Sequence, residues 1–326
     1  MPLIHRPKLK ATNFHGMVAR SPQMERLFVQ LGRAANSDIN VLLRGESGTG
    51  KDLAAQALHA AGARAQHPFR AVNCASFGSE LLASELFGHV KGAFTGAVRS
   101  RDGLMLQAHQ GTLFLDEVAE IPLDVQGRLL RVLQDRRFFP VGGSREVSVD
   151  LRIVSATNSS LRELVAAKRF REDLMYRLRV VVVRLPALRE RDGDLELLTW
   201  TLIDKLNRMG GRQVLSLSQE TWRAMQIYSW PGNIRELDNV LQSAFVLGEG
   251  QTLTLDELSP ELRGEGPEVY SGSPEAVPET VDLAALERTQ LVQAWQEHGG
   301  RRGAMAEALG VSRSTLYRKL KEHSLI

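Results

Sequence analysis

A single cysteine, Cys74, occurs in 326 residues. That excludes an internal disulfide and any zinc site built on cysteines, and it fits a reducing, cytoplasmic compartment. No run approaches the ~20 apolar residues that span a bilayer, and the opening MPLIHRPKLK lacks the apolar core of a secretory signal, so no membrane association is expected. Charge of one sign is also scarce overall, with Lys+Arg 41 against Asp+Glu 38 leaving +3. Disorder throughout is excluded by a hydrophobic content of 43%, enough to bury a large core. At roughly 150 residues per domain the length predicts about two domains.

The small net charge hides an uneven distribution. From Asp256 to Arg288 nine acids stand against two bases, a net of −7, whereas from Arg301 to Ile326 six bases stand against two acids, a net of +4. Between Arg263 and Pro278 the chain is rich in Gly, Pro, Ser and Glu without helical or strand period, which reads as a linker. A basic C-terminal module thus follows an acidic spacer.

Five short apolar runs, Ile39–Leu43, Phe69–Val72, Thr112–Leu115, Leu151–Ser155 and Val180–Val183, alternate with helix-like segments. Continuous rather than alternating hydrophobicity is what strands covered on both faces require, so an α/β fold with a parallel sheet is expected. After Pro186 only helical periods remain, around Leu195–Met209, Gln219–Ile227 and Asn233–Leu247, and these read as a helical lid subdomain.

The first apolar run leads into Gly45-Glu46-Ser47-Gly48-Thr49-Gly50-Lys51 and then a helical segment, Asp52–Ala61. This is the strand–loop–helix setting of a P-loop: glycines let backbone N–H groups converge on phosphate, the helix N-terminus adds positive potential, and Lys51 reaches the β- and γ-phosphates of ATP. The general pattern places Ser or Thr after the lysine to touch Mg²⁺; here Asp52 stands there. Magnesium must therefore lean on other groups. The run Leu113-Phe114-Leu115-Asp116-Glu117 supplies them: Asp116 as the metal anchor and Glu117 to polarise the attacking water.

Gly92-Ala93-Phe94-Thr95-Gly96-Ala97 lies between these two motifs. Together with GESGTGK, GTLFLDE and the run Trp230-Pro231-Gly232-Asn233-Ile234-Arg235-Glu236-Leu237, it resembles the AAA+ activators of sigma-54 RNA polymerase, the bacterial enhancer-binding proteins. Gly92 and Gly96 permit a tight mobile hairpin with the Phe94 ring at its tip, and an exposed ring needs a partner. The resemblance implies that the partner is sigma-54, with Phe94 and Thr95 in contact. It also implies that Asn73 holds Glu117 when the site is not firing, that Thr157 and Asn158 sense the γ-phosphate, and that Arg235 reads the nucleotide from the lid. Arg171 and Arg177 look like arginine fingers presented to a neighbouring subunit's ATP in a hexamer. Six residues subtend 240° on a helix, so both reach one phosphate only if the helix ends or bends there.

Residues 282–326 begin with an amphipathic segment, then Gly303–Leu309, a turn at Gly310 and Ser312–His323, with Ser312 suited to cap the second helix. This resembles the helix-turn-helix of the Fis type, which these activators carry C-terminally. Arg313, Thr315, Arg318 and Lys319 are then the groups for enhancer DNA. The expected boundaries are 1–15 extension, 16–190 ATPase subdomain, 191–262 lid, 263–281 linker and 282–326 DNA-binding domain. Some 15 residues before the ATPase body leave no room for a sensor domain, which would need about 100 residues. Control by a separate regulatory protein or by expression level is therefore expected. Two rival readings are a DNA-binding AAA+ regulator without sigma-54 contact and a chaperone-like remodeller. Intact GAFTGA and Asp116-Glu117 argue against the first, and the C-terminal module against the second.

Overall fold

In the computed structural model, residues 2–7 and 10–265 are described. The expected linker beyond Glu265 and the DNA-binding module, with Arg313, Thr315, Arg318 and Lys319, lie outside them.

Each of the five apolar runs forms a strand: β1 (Val41–Arg44), β2 (Phe69–Asn73), β3 (Thr112–Asp116), β4 (Arg152–Thr157) and β5 (Val181–Arg184). They pair in the order β5-β1-β4-β3-β2, every pair parallel. Successive side chains on a strand point to opposite faces, and both faces are covered. Leu42, Leu113, Leu115 and Ile153 enter one core cluster, whereas Val41, Leu43, Phe114 and Val154 enter another. Double burial is nearly complete in the central strands β1, β4 and β3, whose runs are accordingly continuous, whereas the edge strands β2 and β5 leave Arg70 and Val182 exposed.

The main helices are α1 (Pro22–Ala35), α2 (Lys51–Ala60), α3 (Ser79–Phe87), α4 (Leu123–Asp135), α5 (Glu172–Leu178), α6 (Asp194–Met209), α7 (Gln219–Ile227) and α8 (Asn233–Leu247). The last three surround a separate core that includes Trp200, Ile203, Met225, Trp230 and Leu241. Ser21 caps α1 by accepting from the Met24 N–H at 3.4 Å. Buried Asp194, at the start of α6, accepts from the Arg20 and Ser21 N–H groups at 2.7 and 2.8 Å. The beginnings of the ATPase body and of the lid are thereby joined.

A second, small sheet was not foreseen. Leu3–His5 pairs antiparallel with Ser216–Ser218, which pairs in parallel with Thr252–Leu253. Ile4 faces Leu217 in register, and Arg6 forms an ion pair with Asp204 at 2.7 Å. The segment read as a bare extension thus contributes a strand to the lid, and Thr12–Phe14 forms a hairpin with Met17–Ala19 beside α1. Among the described residues no helix is long and apolar enough to cross a membrane.

Candidate nucleotide site

All five strands are parallel, so their C-terminal ends gather at one edge, where ligands of open α/β sheets bind. Gly45–Gly50 leaves β1 there, and a cleft of about 590 Å³ opens between this loop, the ends of β2 and β3, and the lid helices α6 and α8. Ser47, Gly48, Gly50, Lys51, Asp52, Asn73, Asp116, Glu117 and Arg235 all line it. Residues from four distant stretches of sequence are brought together as expected of a phosphate site.

The loop fits only with glycine at its closest approach. Gly48 has φ +75, and a Cβ there would stand 2.1 Å from the Gly232 carbonyl oxygen. Lys51, only 6% exposed, donates from Nζ to the carbonyls of Gly45 and Glu46 at 3.0 and 3.2 Å and lies 3.6 Å from Glu117 Oε1. Thr49 turns inward, its hydroxyl donating to the Glu46 carbonyl at 2.8 Å. The Glu46 side chain points away from the cleft to Arg189, whose Nη1 donates to it at 2.9 Å. Hydrogen bonds from Arg189 and then Asn233 hold the Glu46 carboxyl far below its ordinary value, at about 2.

Two carboxylates stand at the end of β3. Asn73, at the end of β2, donates from Nδ2 to Asp116 Oδ2 at 3.1 Å, so its amide holds Asp116 and not Glu117 as expected. The register explains this: Asn73 is paired directly with Asp116 across the β2–β3 ladder. Glu117 is instead held by the Asn158 backbone N–H at 3.3 Å and by Lys51. Its φ of +48 is a left-handed conformation uncommon for a non-glycine residue, and it occurs at a site residue. Asp116 Oδ1 is buried and has no hydrogen-bond partner among the described residues. Burial first, and then the nearby charges of Asp52 and Glu117, raise the Asp116 carboxyl above its ordinary range. Asp116, with a desolvated and unpartnered oxygen and the charges of Asp52 and Glu117 nearby, has the chemistry of an anchor for a divalent cation, although among the described residues no three acidic, histidine or cysteine side chains are arranged to hold one together. The same environment pushes the Cys74 thiol up to about 12, mainly through burial.

Asn158 follows β4 and is exposed, its side chain accepting from the Ser159 hydroxyl at 3.0 Å. Thr157 is buried and accepts from the Ser159 N–H. Arg235 reaches the loop, its Nη1 donating to Ser47 Oγ at 3.0 Å. Arg171 is the N-cap residue of α5, ion-paired with Asp173 at 2.9 Å, whereas Arg177 sits within that helix. The helix runs unbroken from Glu172 to Leu178, so it neither ends nor bends between the two arginines; only the extended backbone of Arg171 itself departs from the helical course. Neither arginine lines this chain's own cleft.

The GAFTGA segment is a loop closed by Gly92 N–H to Ala97 carbonyl at 2.9 Å and Ala97 N–H to Phe94 carbonyl at 3.0 Å. Gly92 and Gly96 take φ of +81 and +101, as a tight turn demands. Phe94 does not project freely. Its ring packs edge-on against His89 with centroids 5.1 Å apart, which leaves it half-buried, and Thr95 and Gly96 form the exposed tip. Edge-to-face packing removes apolar area that an exposed tip would present to water. His89 is itself fixed, by the Ser84 hydroxyl at 2.8 Å and the Arg99 carbonyl at 3.0 Å.

Comparison with known proteins agrees with this geometry. The Sigma-54 interaction domain family matches residues 17–184, the AAA+ ATPase lid domain residues 189–273, and the Fis-family bacterial regulatory protein domain residues 282–323. The chain is similar to the regulatory protein LuxO of Vibrio cholerae, 42% identical over 318 residues spanning 96% of this chain and 70% of that one. It is likewise similar to the transcriptional regulatory protein ZraR of Salmonella typhimurium, 42% identical over 315 residues, with 96% and 70% covered. Among solved structures, NtrX from Brucella abortus in complex with ATP superposes with a TM-score of 0.70 at 34% identity, covering 94% of this chain and 69% of that one. Sequence, fold and cleft converge: the chain belongs to the sigma-54-dependent transcriptional activators, with an AAA+ ATPase body, a helical lid and a Fis-type helix-turn-helix region.

Proposed function

We propose that this activator binds enhancer DNA upstream of its promoters, assembles into a hexameric ring, and uses ATP hydrolysis to drive its GAFTGA loop against sigma-54 in the closed polymerase complex. The observation that carries the reading is the Asn73–Asp116 contact at the start of one covalent path. Asn73 ends β2, a turn at Cys74–Ser76 follows, and α3 then runs to Gly88 and His89 at the base of the loop. A change at the phosphate end of the cleft has a short route to the segment that meets the polymerase.

In this reading Lys51 and the loop N–H groups hold the β- and γ-phosphates. Asp116 would hold Mg²⁺, with Asp52 adding negative charge beside it. When bound, Mg²⁺ offsets the charge on the phosphates and steadies the leaving group. Glu117 orients the attacking water and takes its proton as the water oxygen bonds to the γ-phosphorus and ADP departs. Asn158, which lies outside the lining of the cleft in this structure, would sense the γ-phosphate through its contact with Glu117, and Arg235 would report nucleotide to the lid. Arg171 and Arg177 serve the neighbouring subunit's ATP, which makes turnover depend on assembly. Arg313, Thr315, Arg318 and Lys319 anchor the ring on DNA, and Gly92–Ala97, led by Phe94 and Thr95, engages sigma-54 once Phe94 leaves His89.

The deciding experiment is ATP-dependent opening of a sigma-54 promoter complex, followed with a fluorescent base in the melted region. Opening with ATP, and none with the Glu117→Gln protein, is expected. A purified protein that hydrolyses ATP yet leaves every sigma-54 promoter complex closed overturns the reading.

A further inference from the structure

A phosphate-binding loop aims its N–H groups at the anion, so its carbonyls must turn outward and find other partners. Here three consecutive ones are held by the lid and by the segment that leads to it. The Ser47 carbonyl accepts from Asn233 Nδ2 at 2.9 Å, that of Gly48 from the Ile234 N–H at 3.0 Å, and that of Thr49 from Arg191 Nη2 at 2.8 Å. Arg191 is 3% exposed, and its guanidinium also donates to the Pro186 carbonyl.

Asn233 is the centre of this grip. It is fully buried, with a left-handed φ of +53 that asparagine tolerates better than most residues. Its Oδ1 accepts from the Leu188 N–H at 2.8 Å, so its NH₂ must face the Ser47 carbonyl, and it also lies 3.2 Å from Glu46 Oε2. Only an amide serves both sides. An aspartate of the same shape would set a carboxylate oxygen against the Ser47 carbonyl and the Glu46 carboxylate.

We propose that Asn233 is a positioning residue for ATP binding: its amide fastens the outer carbonyls of the P-loop to the lid and so keeps the inner N–H groups arranged for phosphate. It lies outside the lining of the nucleotide cleft. Asp116 and Glu117 stand on β3 and at its end, away from this contact, so the chemical step is spared once nucleotide is bound. The expected signature is a change in affinity with little change in maximal rate.

The test uses the full chain carrying Asn233→Asp or Asn233→Gly, the glycine relieving the left-handed backbone while deleting the amide. Titration with a fluorescent ADP analogue is expected to show about 10- to 100-fold weaker binding, the range for lost supporting contacts around a ligand site. The saturating ATP turnover rate is expected to stay within about threefold, in a glycine variant that is somewhat less stable but still folded at the assay temperature. Wild-type affinity in a folded glycine variant, or a fall in maximal rate at constant affinity, overturns the proposal. Should neither variant fold, hydrogen exchange on the wild-type protein decides. ADP is expected to slow exchange of the Leu188 N–H, which bonds Asn233 but does not line the cleft, and unchanged exchange there overturns it.

Discussion

Asn73 Nδ2 and Asp116 Oδ2 are 3.1 Å apart across the β2–β3 ladder, and the other oxygen of that carboxylate is buried and has no hydrogen-bond partner among the described residues. One oxygen is thus oriented by an amide, and in the proposed function the other is the one that would take Mg²⁺. Asn73→Ala is expected to lower ATP turnover about 10-fold and to raise the Mg²⁺ concentration for half-maximal rate, as loss of groups supporting metal ligands commonly does. Turnover against Mg²⁺ concentration checks it; an unchanged Mg²⁺ dependence would remove Asn73 from the metal's surroundings.

Lys51 and Glu117 lie 3.6 Å apart but are assigned separate tasks. Lys51→Ala is expected to abolish nucleotide binding. Glu117→Gln is expected to keep binding while losing about 10²–10⁴-fold in turnover, the span attributed to a positioned base. Nucleotide titration beside single-turnover hydrolysis separates the two, and loss of binding in both proteins would refute the division.

Thr95 is at the exposed tip of its loop, away from the cleft-lining residues. Thr95→Ala is expected to hydrolyse ATP at the normal rate and fail to open promoters. A Thr95→Ala protein that opens them normally would end the assignment of this loop to sigma-54.

Arg212 uses its whole guanidinium inside the lid. It pairs with Glu257 at 2.8 Å and donates to the carbonyls of Ala244, Glu249, Gly250 and Thr252, with its side chain 5% exposed. Arg212→Met leaves the partly buried Glu257 carboxylate unpaired and these carbonyls without their donor, at a cost of about 3 kcal/mol, the lower end of the range for breaking a buried pair. Arg212→Lys does not rescue it, because a point charge cannot replace the planar fork. Urea unfolding followed by the buried lid tryptophans, Trp200 and Trp230, measures it.

Glu46 carries a pH dependence. Arg189 and Asn233 depress its carboxyl from the ordinary 4.5 to about 2, so the contribution of this contact is complete above pH 4.5 and fades as pH falls towards 2. The pair is largely exposed, so the effect on stability is small. Glu46→Gln is expected to flatten the acid limb of the melting temperature over that window, and an identical limb in both proteins would discount the pair.

The central strands were legible because burial on both faces writes a nearly continuous apolar run, the edge strands because β-branched and aromatic residues still crowd them, and the lid helices because each keeps one apolar stripe. Helix starts shifted by a single residue, as with α2, which begins at Lys51 rather than Asp52. The P-loop and Asp116-Glu117 were legible because phosphate and metal chemistry restrict residue type at fixed spacing. What escaped depends on partners outside the local segment. Leu-Ile-His at positions 3–5 is too short to signal a strand, and its partner lies more than 200 residues later. Asn233 looks like any turn residue until Ser47 and Leu188 are placed on either side of its amide. Phe94 was expected at the open tip because nothing in the loop itself indicates that His89 would receive its ring.

The strand Leu3–His5 builds an early stretch of the sequence into the lid. Three backbone residues stitched to Ser216–Ser218, with Arg6 fastened to Asp204 on α6, join the start of the chain to one jaw of the cleft, while Thr12–Ala19 holds to the other. Residues early in the sequence are therefore fastened to both sides of the cleft at once, so trimming Leu3–His5 removes a lid strand without touching any residue that lines the cleft.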